Sequence, residues 1–293
     1  MQQLLTLLRL SRPLNIIFAA LTYILGAGIA RYLGVSQNVA AFWLGLGGIL
    51  MAQFSMDLLA EALRPVDQPS ENDEHRAERV VLRNAALMAS VGALAAAAVV
   101  AILLGQEGAL TPVVLLFLGL SLVLILTYAV PPFRLVDAGF GEFTLAVHIA
   151  IVVPALGFLL QEGVYHRLLG IVTFPLTLLA LAYFLILDFP TFAADEKYDR
   201  RTLLRSIGWQ RAVPLHHGLI LGAYLLLGSA LFFGLAWGLI WPALLTLPFA
   251  ILQIFWVRNI GLGAKPIWNL LTVNALAVFG LTAYLLTFAF WLR

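Results

Sequence analysis

Nine stretches of this chain each run for about 20 residues with almost no charge, the length an α-helix needs to cross a hydrocarbon layer of roughly 30 Å. They fall at 14–33, 39–63, 83–104, 110–130, 142–160, 167–188, 212–234, 236–257 and 267–291. Their apolar character is continuous and does not alternate, which excludes a membrane β-barrel. The expected fold class is therefore all-α: a polytopic membrane protein of nine transmembrane helices, with residues 1–293 forming a single transmembrane domain. Composition agrees. Hydrophobic residues make up 62% and charged residues 11% of the chain, against about 25% charged in soluble domains. The first run follows Arg9 and Arg12 and lacks a small-residue exit, so it reads as a retained span and not a cleaved signal. The chain has no Cys, which removes disulfides, thiolate nucleophiles and Cys-based metal sites.

The few charges sort by side. Of 17 Lys and Arg, all but Arg31, Arg167 and Arg293 fall at the N-terminus or in the loops after the second, fourth, sixth and eighth runs. The positive-inside rule then places the N-terminus and those loops in the cytoplasm and the C-terminus outside. This fits the inner membrane of a prokaryote. The net charge of +2 serves orientation and gives no reason to expect nucleic acid. Of 15 Asp and Glu, only Glu107 and Glu162 lie away from the same side. Chemistry is expected on the cytoplasmic face.

Two helix ends concentrate the acids. The second run ends with Gln53, Asp57 and Glu61 at a spacing of four, one helical face. Carboxylates in an apolar run cost about 2.5–3.5 kcal/mol at mid-helix, so two on one face point to a polar cavity, with a solvated helix end as the alternative. The sixth run ends with Asp188, Thr191, Asp195 and Asp199, again at helical spacing, with Pro190 expected to kink or break the helix. Convergent carboxylates without Cys suit Mg²⁺ shared with a phosphorylated substrate. Arg64, Arg76, Arg79, Arg134, Lys197, Arg200 and Arg201 are candidate phosphate partners. Acids, bases and an apolar bundle together suggest a diphosphate head with a lipid tail.

These residues carry a resemblance. The chain resembles the UbiA superfamily of intramembrane prenyltransferases almost end to end. Gln53, Phe54, Asp57 and Glu61 stand where the first family signature has Asn, Asp, Asp and Asp. Thr191 and Asp195, then Asp199-Arg200-Arg201-Thr202-Leu203, resemble the second. Arg12-Pro13 is similar to the start of the first span, and Tyr128 to Arg134 with Gly139 to Glu142 to the loop after the fourth. Asp188 to Asp195 is nearest the 1,4-dihydroxy-2-naphthoate branch of the menaquinone pathway. The resemblance implies a nine-helix horseshoe around a cavity. It also implies Mg²⁺-dependent transfer of a polyprenyl group from an allylic diphosphate to an aromatic, naphthoate- or quinone-precursor-like acceptor. By position, Asp57, Glu61 and Asp195 would bind the metal and, with Asp188, carry catalysis. Arg12, Gln53, Arg64, Tyr128, Arg134 and Lys197 would contact substrate.

The departures are specific. Phe54 and Thr191 occupy acid positions, Glu61 and Gln53 are one methylene longer than the usual Asp and Asn, and Asp199 replaces Gly. They motivate a second reading: a homologue without catalysis, acting as a membrane subunit or as a quinone-, pigment- or lipid-binding protein. A transporter is a weaker third reading, because the acids sit at one end and not at a midplane between repeats. His148, inside the fifth run, is either a functional group or a neutral imidazole bonded to a neighbouring helix. His216-His217 is expected at the interface.

Overall fold

The computed structural model describes residues 7–8, 10–65 and 76–293; within this range, side chains are described except at 76–79. Arg9 therefore lies outside the described residues, as do the side chains of Arg76 and Arg79. All regular elements among the described residues are helical. Nine of these helices are long and apolar enough to cross a membrane: α1 Pro13–Tyr32, α2 Val39–Ala62, α3 Val80–Gln106, α4 Pro112–Ala129, α5 Gly141–Glu162, α6 Arg167–Asp188, α9 Trp209–Phe233, α10 Trp237–Gly261 and α11 Trp268–Trp291. Two short helices, α7 Phe192–Lys197 and α8 Leu203–Ile207, lie between α6 and α9.

The boundaries follow local chemistry. Asn38 caps α2 by accepting from the Ala41 amide, and Thr111 caps α4 from Val114, each satisfying one of a helix's orphan donors. Pro13 and Pro112 begin α1 and α4, where a missing N–H costs nothing. Helical backbone extends α3 back to Arg76, well before the apolar run expected from 83. Arg, Ala and Glu are good helix formers and carry the helix past the hydrocarbon without being apolar themselves. The seventh span likewise starts at Trp209, three residues before the apolar run.

The helices differ in how much neighbours cover them. In their most apolar windows α5 is 83% and α6 72% buried, whereas α3 is 11% buried. The first two therefore form the inside of the bundle, and α3 packs on its flank against α2. The closest backbone approach joins α1 to α5. A Cβ on Gly26 would overlap the Pro154 carbonyl, and one on Gly157 the Tyr23 carbonyl. Small residues allow such approach where lipid supplies no hydrophobic driving force between helices. The C-terminal helix closes back on α1 through the Trp291 indole, which donates to the Ile24 carbonyl at 2.9 Å. Uncharged hydrogen bonds lace the C-terminal helices: the Tyr224, Thr246 and Thr282 hydroxyls lie 2.7 and 2.8 Å apart across α9, α10 and α11.

Helix α5 is not uniform. A π turn occupies His148–Val152, followed by Pro154. Proline lacks the N–H that would bond back one turn, and a wider turn relieves the mismatch. The device opens the helix at the one imidazole in its interior.

Candidate active site

The charged ends of α1, α2, α5 and α6 meet the loops after α4 and α6 at one end of the bundle, and side-chain bonds tie them together. Asp57 is 3% exposed. Its Oδ1 accepts from Asn15 Nδ2 of α1 at 3.0 Å, and its Oδ2 from Gln53 Nε2 at 2.9 Å. Gln53 Oε1 in turn lies 3.0 Å from His148 Nδ1 of α5, whose Nε2 lies 2.9 Å from Ser121 Oγ of α4. His148 is thus bonded to two neighbouring helices, α2 and α4.

Beside this network sits Arg12, donating to the Tyr128 hydroxyl at 3.3 Å. Tyr128 first, then Asp57, Glu61 and Asp188, holds the Arg12 guanidinium above its ordinary value, against the effect of burial. One cation therefore faces acids from both acidic segments. Glu61 pairs with Arg64 at 2.9 Å. Burial holds Arg64 below its ordinary value; Glu61 opposes this, while Arg200 and Arg12 reinforce it. Arg64 thus lies within electrostatic reach of two further guanidiniums, an arrangement suited to a polyanion.

The second acidic segment is built differently. Helix α6 stops at Asp188, and a turn through Phe189 and Pro190 leads into α7. The expected single face is therefore broken. Asp188, Thr191 and Asp195 stay linked, since the Thr191 hydroxyl donates to Asp195 Oδ2 at 2.8 Å and approaches the Asp188 carbonyl at 3.2 Å. Asp199 leaves the face. It lies beyond α7 with φ 52°, its side chain 78% exposed and paired with Arg205 at 2.7 Å, which holds its carboxyl below the usual range. Arg200 bridges Asp195 at 3.5 Å and Asp137 at 3.4 Å.

Not every expected substrate contact joins the cluster. Arg134 is committed to structure: it pairs with Asp137 at 2.6 Å and donates to the carbonyls of Ala129 and Ala60 at 3.2 Å each. It pins the α4–α5 loop to the end of α2. Lys197 is exposed, its ammonium 5.1 Å from the Tyr198 ring, because α7 turns that face outward. His216, near the start of α9, is 1% exposed and so packs against neighbouring side chains.

Four participants had no distinct sequence signal as site residues. Asn15 and Asp137 stand outside any acidic spacing. His148 was visible only as a polar residue in a span. Glu142, 7% exposed, accepts from the Leu203 amide at 3.2 Å and meets Asp188 side chain to side chain. It ties the start of α5 to both ends of the second acidic segment. Asp188 Oδ2 is buried without a hydrogen-bond partner. A buried carboxylate facing another carboxylate requires a proton or a cation between them.

Among the described residues, Arg12, Arg134 and Asp199 are the non-glycine residues with positive φ, at 46°, 36° and 52°. All three are charged and at this end of the bundle. Left-handed backbone costs such residues about 1–2 kcal/mol each. For Arg134 and Asp199 the side-chain bonds given above hold the conformation in place.

A profile of the UbiA prenyltransferase family matches residues 64–267, well over half of the chain. The chain belongs to the UbiA prenyltransferase family. Solved structures of low identity share the fold of this UbiA-family chain. A digeranylgeranylglyceryl phosphate synthase matches over 100% of both chains with TM-score 0.70 at 14% identity. A UbiA homologue from Archaeoglobus fulgidus, solved with geranyl diphosphate and Mg²⁺, matches over 98% of this chain and 99% of its own with TM-score 0.59 at 16% identity. The same homologue, in a structure described without ligand, gives 0.61 at 15% identity. No curated protein sequence matches the chain. The nine apolar helices and the family membership make this an integral membrane protein.

Proposed function

We propose that this UbiA-family chain transfers a polyprenyl group from an allylic diphosphate to an aromatic acceptor within the membrane, with Mg²⁺. The observation that carries the reading is the ring of charge at one end of the bundle. Arg64 feels both Arg12 and Arg200, beside carboxylates drawn from α2 and from the segment after α6. A diphosphate is the ligand class that satisfies both signs at once: its oxygens take the guanidiniums directly and the carboxylates through a divalent cation. The whole chain, 1–293, is read as one domain, with this end cytoplasmic and the C-terminus outside.

The residues fit Mg²⁺ of that shared kind. Asp57 has one amide bond on each carboxylate oxygen, which leaves a further lone pair on each. Among the described residues no three His, Cys, Asp or Glu stand close enough to hold a metal by themselves. The site therefore suits a cation bound through one or two carboxylates plus phosphate oxygens and water. Of the three expected ligands, Asp57 with Glu61 from the first segment, or Asp195 from the second, would hold it in that way, with Asp188 and Glu142 behind Asp195. When bound, Mg²⁺ supplies charge neutralisation to the leaving diphosphate.

The chain's own residues do the rest. Arg12 and Arg64 bind the diphosphate and stabilise the charge that grows on it as the carbon–oxygen bond ionises. Tyr128 orients Arg12. The apolar helices exclude water from the allylic cation until the acceptor carbon captures it, after which that carbon loses its proton to the released diphosphate. The 188–195 segment supports an acceptor of naphthoate type.

A second reading has its own support. Phe54 and Thr191 hold acid positions of the resembled signatures, and Asp195 is already paired with Arg200. Such a chain would bind a quinone, pigment or lipid, or sit in a complex, without turning over. Purified protein in nanodiscs, supplied with Mg²⁺, prenyl diphosphates of several lengths and naphthoate, benzoate or chlorophyllide acceptors, separates the two. Prenylated product, lost in Asp57→Ala, supports the transferase. No turnover, with diphosphate binding indifferent to Mg²⁺ and to Asp57→Ala and Asp195→Ala, sinks it. Stoichiometric co-purification with another membrane protein would favour the subunit.

A further inference from the structure

The chain of contacts running from Asp57 through Gln53 and His148 to Ser121 has a direction. Gln53 Nε2 lies against Asp57 Oδ2, and a carboxylate only accepts. The amide must therefore turn its NH₂ toward Asp57 and its oxygen toward His148 Nδ1. An amide oxygen accepts, so Nδ1 carries the proton. In a neutral imidazole Nε2 is then bare and accepts from the Ser121 hydroxyl, 2.9 Å away. All four groups are buried, with Gln53 and His148 at 0% exposure. The opposite tautomer would rotate the amide and set its oxygen against the carboxylate.

We propose that His148, backed by Ser121, is a positioning residue for the diphosphate site: its Nδ1–H locks the Gln53 amide so that Asp57 is gripped from α2 as well as from Asn15 of α1. This rests on the reading of Asp57 as a metal–diphosphate ligand. The device depends on the length of Gln53. An Asn at 53 would still reach Asp57 one turn away but would fall short of α5. The π turn that begins at His148 brings the ring to the right height. Outer partners that orient a ligand are typically worth about 10–100-fold in metal affinity.

The test uses full-length protein in nanodiscs and Mg²⁺-dependent binding of geranyl diphosphate, with thermal stability recorded for every variant. His148→Asn places an amide nitrogen where Nδ1 stood, and His148→Gln places one where Nε2 stood. We expect His148→Asn to bind within about threefold of the parent and His148→Gln to lose about tenfold or more. In a Gln53→Asn background the same His148→Gln change should cost nothing, since the lock is already absent. Equal losses in His148→Asn and His148→Gln, or the same loss in both backgrounds, would mean a packing role and overturn the proposal. A second readout is independent of ligand. In ¹⁵N-histidine-labelled protein, the His148 signal, assigned by its loss in His148→Asn, should report a protonated Nδ1 and shift in Gln53→Asn. A protonated Nε2 with bare Nδ1 overturns the proposal. Should the parent bind no geranyl diphosphate with Mg²⁺, the diphosphate reading falls, and the lock itself stands or falls on this nitrogen signal.

Discussion

The two acidic segments hold their carboxylates by opposite means. Asp57 sits within a continuous helix and is gripped by neutral amides from α1 and α2. Asp195 sits on a six-residue helix behind a break, held by a hydroxyl and by Arg200. Amides orient a charge without cancelling it, whereas a guanidinium cancels what it orients. In the first segment Asp57 is a fixed anion ready for a cation, one turn from Glu61, which Arg64 already pairs. The second is an ion pair that a diphosphate can split, taking Arg200 for its own oxygens and leaving Asp195 for the metal. Rigidity follows the same division, because helix α2 is packed along its length while the second segment is tied at points.

That contrast can be broken in stages. The largest effect should come from Asp57→Ala, which removes the one carboxylate of its face held by amides alone, since Glu61 is already paired with Arg64. Mg²⁺-dependent geranyl diphosphate binding should weaken by on the order of 100-fold or more, beyond what an outer partner costs, and a tenfold loss or less would deny the first segment its primacy. Asp195→Ala should cost about tenfold, in the lower part of that range, because its charge is already shared with Arg200; a loss matching that of Asp57→Ala would erase the distinction. Next, Arg200→Gln should release the backbone of the second segment and leave that of the first in place. Hydrogen exchange at 192–205 should speed up about tenfold, as loss of a local tie of roughly 1.4 kcal/mol implies, with 53–61 unchanged. Salt probes the same difference more gently. Between 0.05 and 0.5 M the partly exposed Arg200 contacts should be screened and exchange at 192–205 should rise, while the amide-held segment stays as it was; parallel changes would argue against two modes of support. The smallest effect belongs to Lys197→Ala, within about twofold in binding, as is usual for an exposed charge. A larger loss would show that α7 turns inward when substrate is present.

Much of this was legible in the chain itself, for reasons that are local. Twenty uncharged residues in a row commit a segment to a spanning helix whatever its neighbours do, so all nine spans lie within a few residues of the apolar runs. Asp57 and Glu61 could be placed on one face because the helical period is fixed, and Pro190 announced the break after α6 by its missing donor. Where the reading failed, the deciding forces were not local. The face from Asp188 to Asp199 was drawn through a helix that does not continue, and Arg205 captured Asp199 from across a turn. Arg134 was read as a substrate contact from its loop, and only the fold brings the carbonyls of Ala129 and Ala60 to it. Glu142, Asn15 and Asp137 carry no periodic signal, since each acts across a gap between helices. The sequence by itself determined the solvent of this protein, its nine crossings and the end at which its charge gathers, because hydropathy and helical period are properties of single segments. Only the tertiary structure decided which acid is held by amides and which by arginine, and that Gln53 reaches His148, because those choices depend on which helices lie side by side.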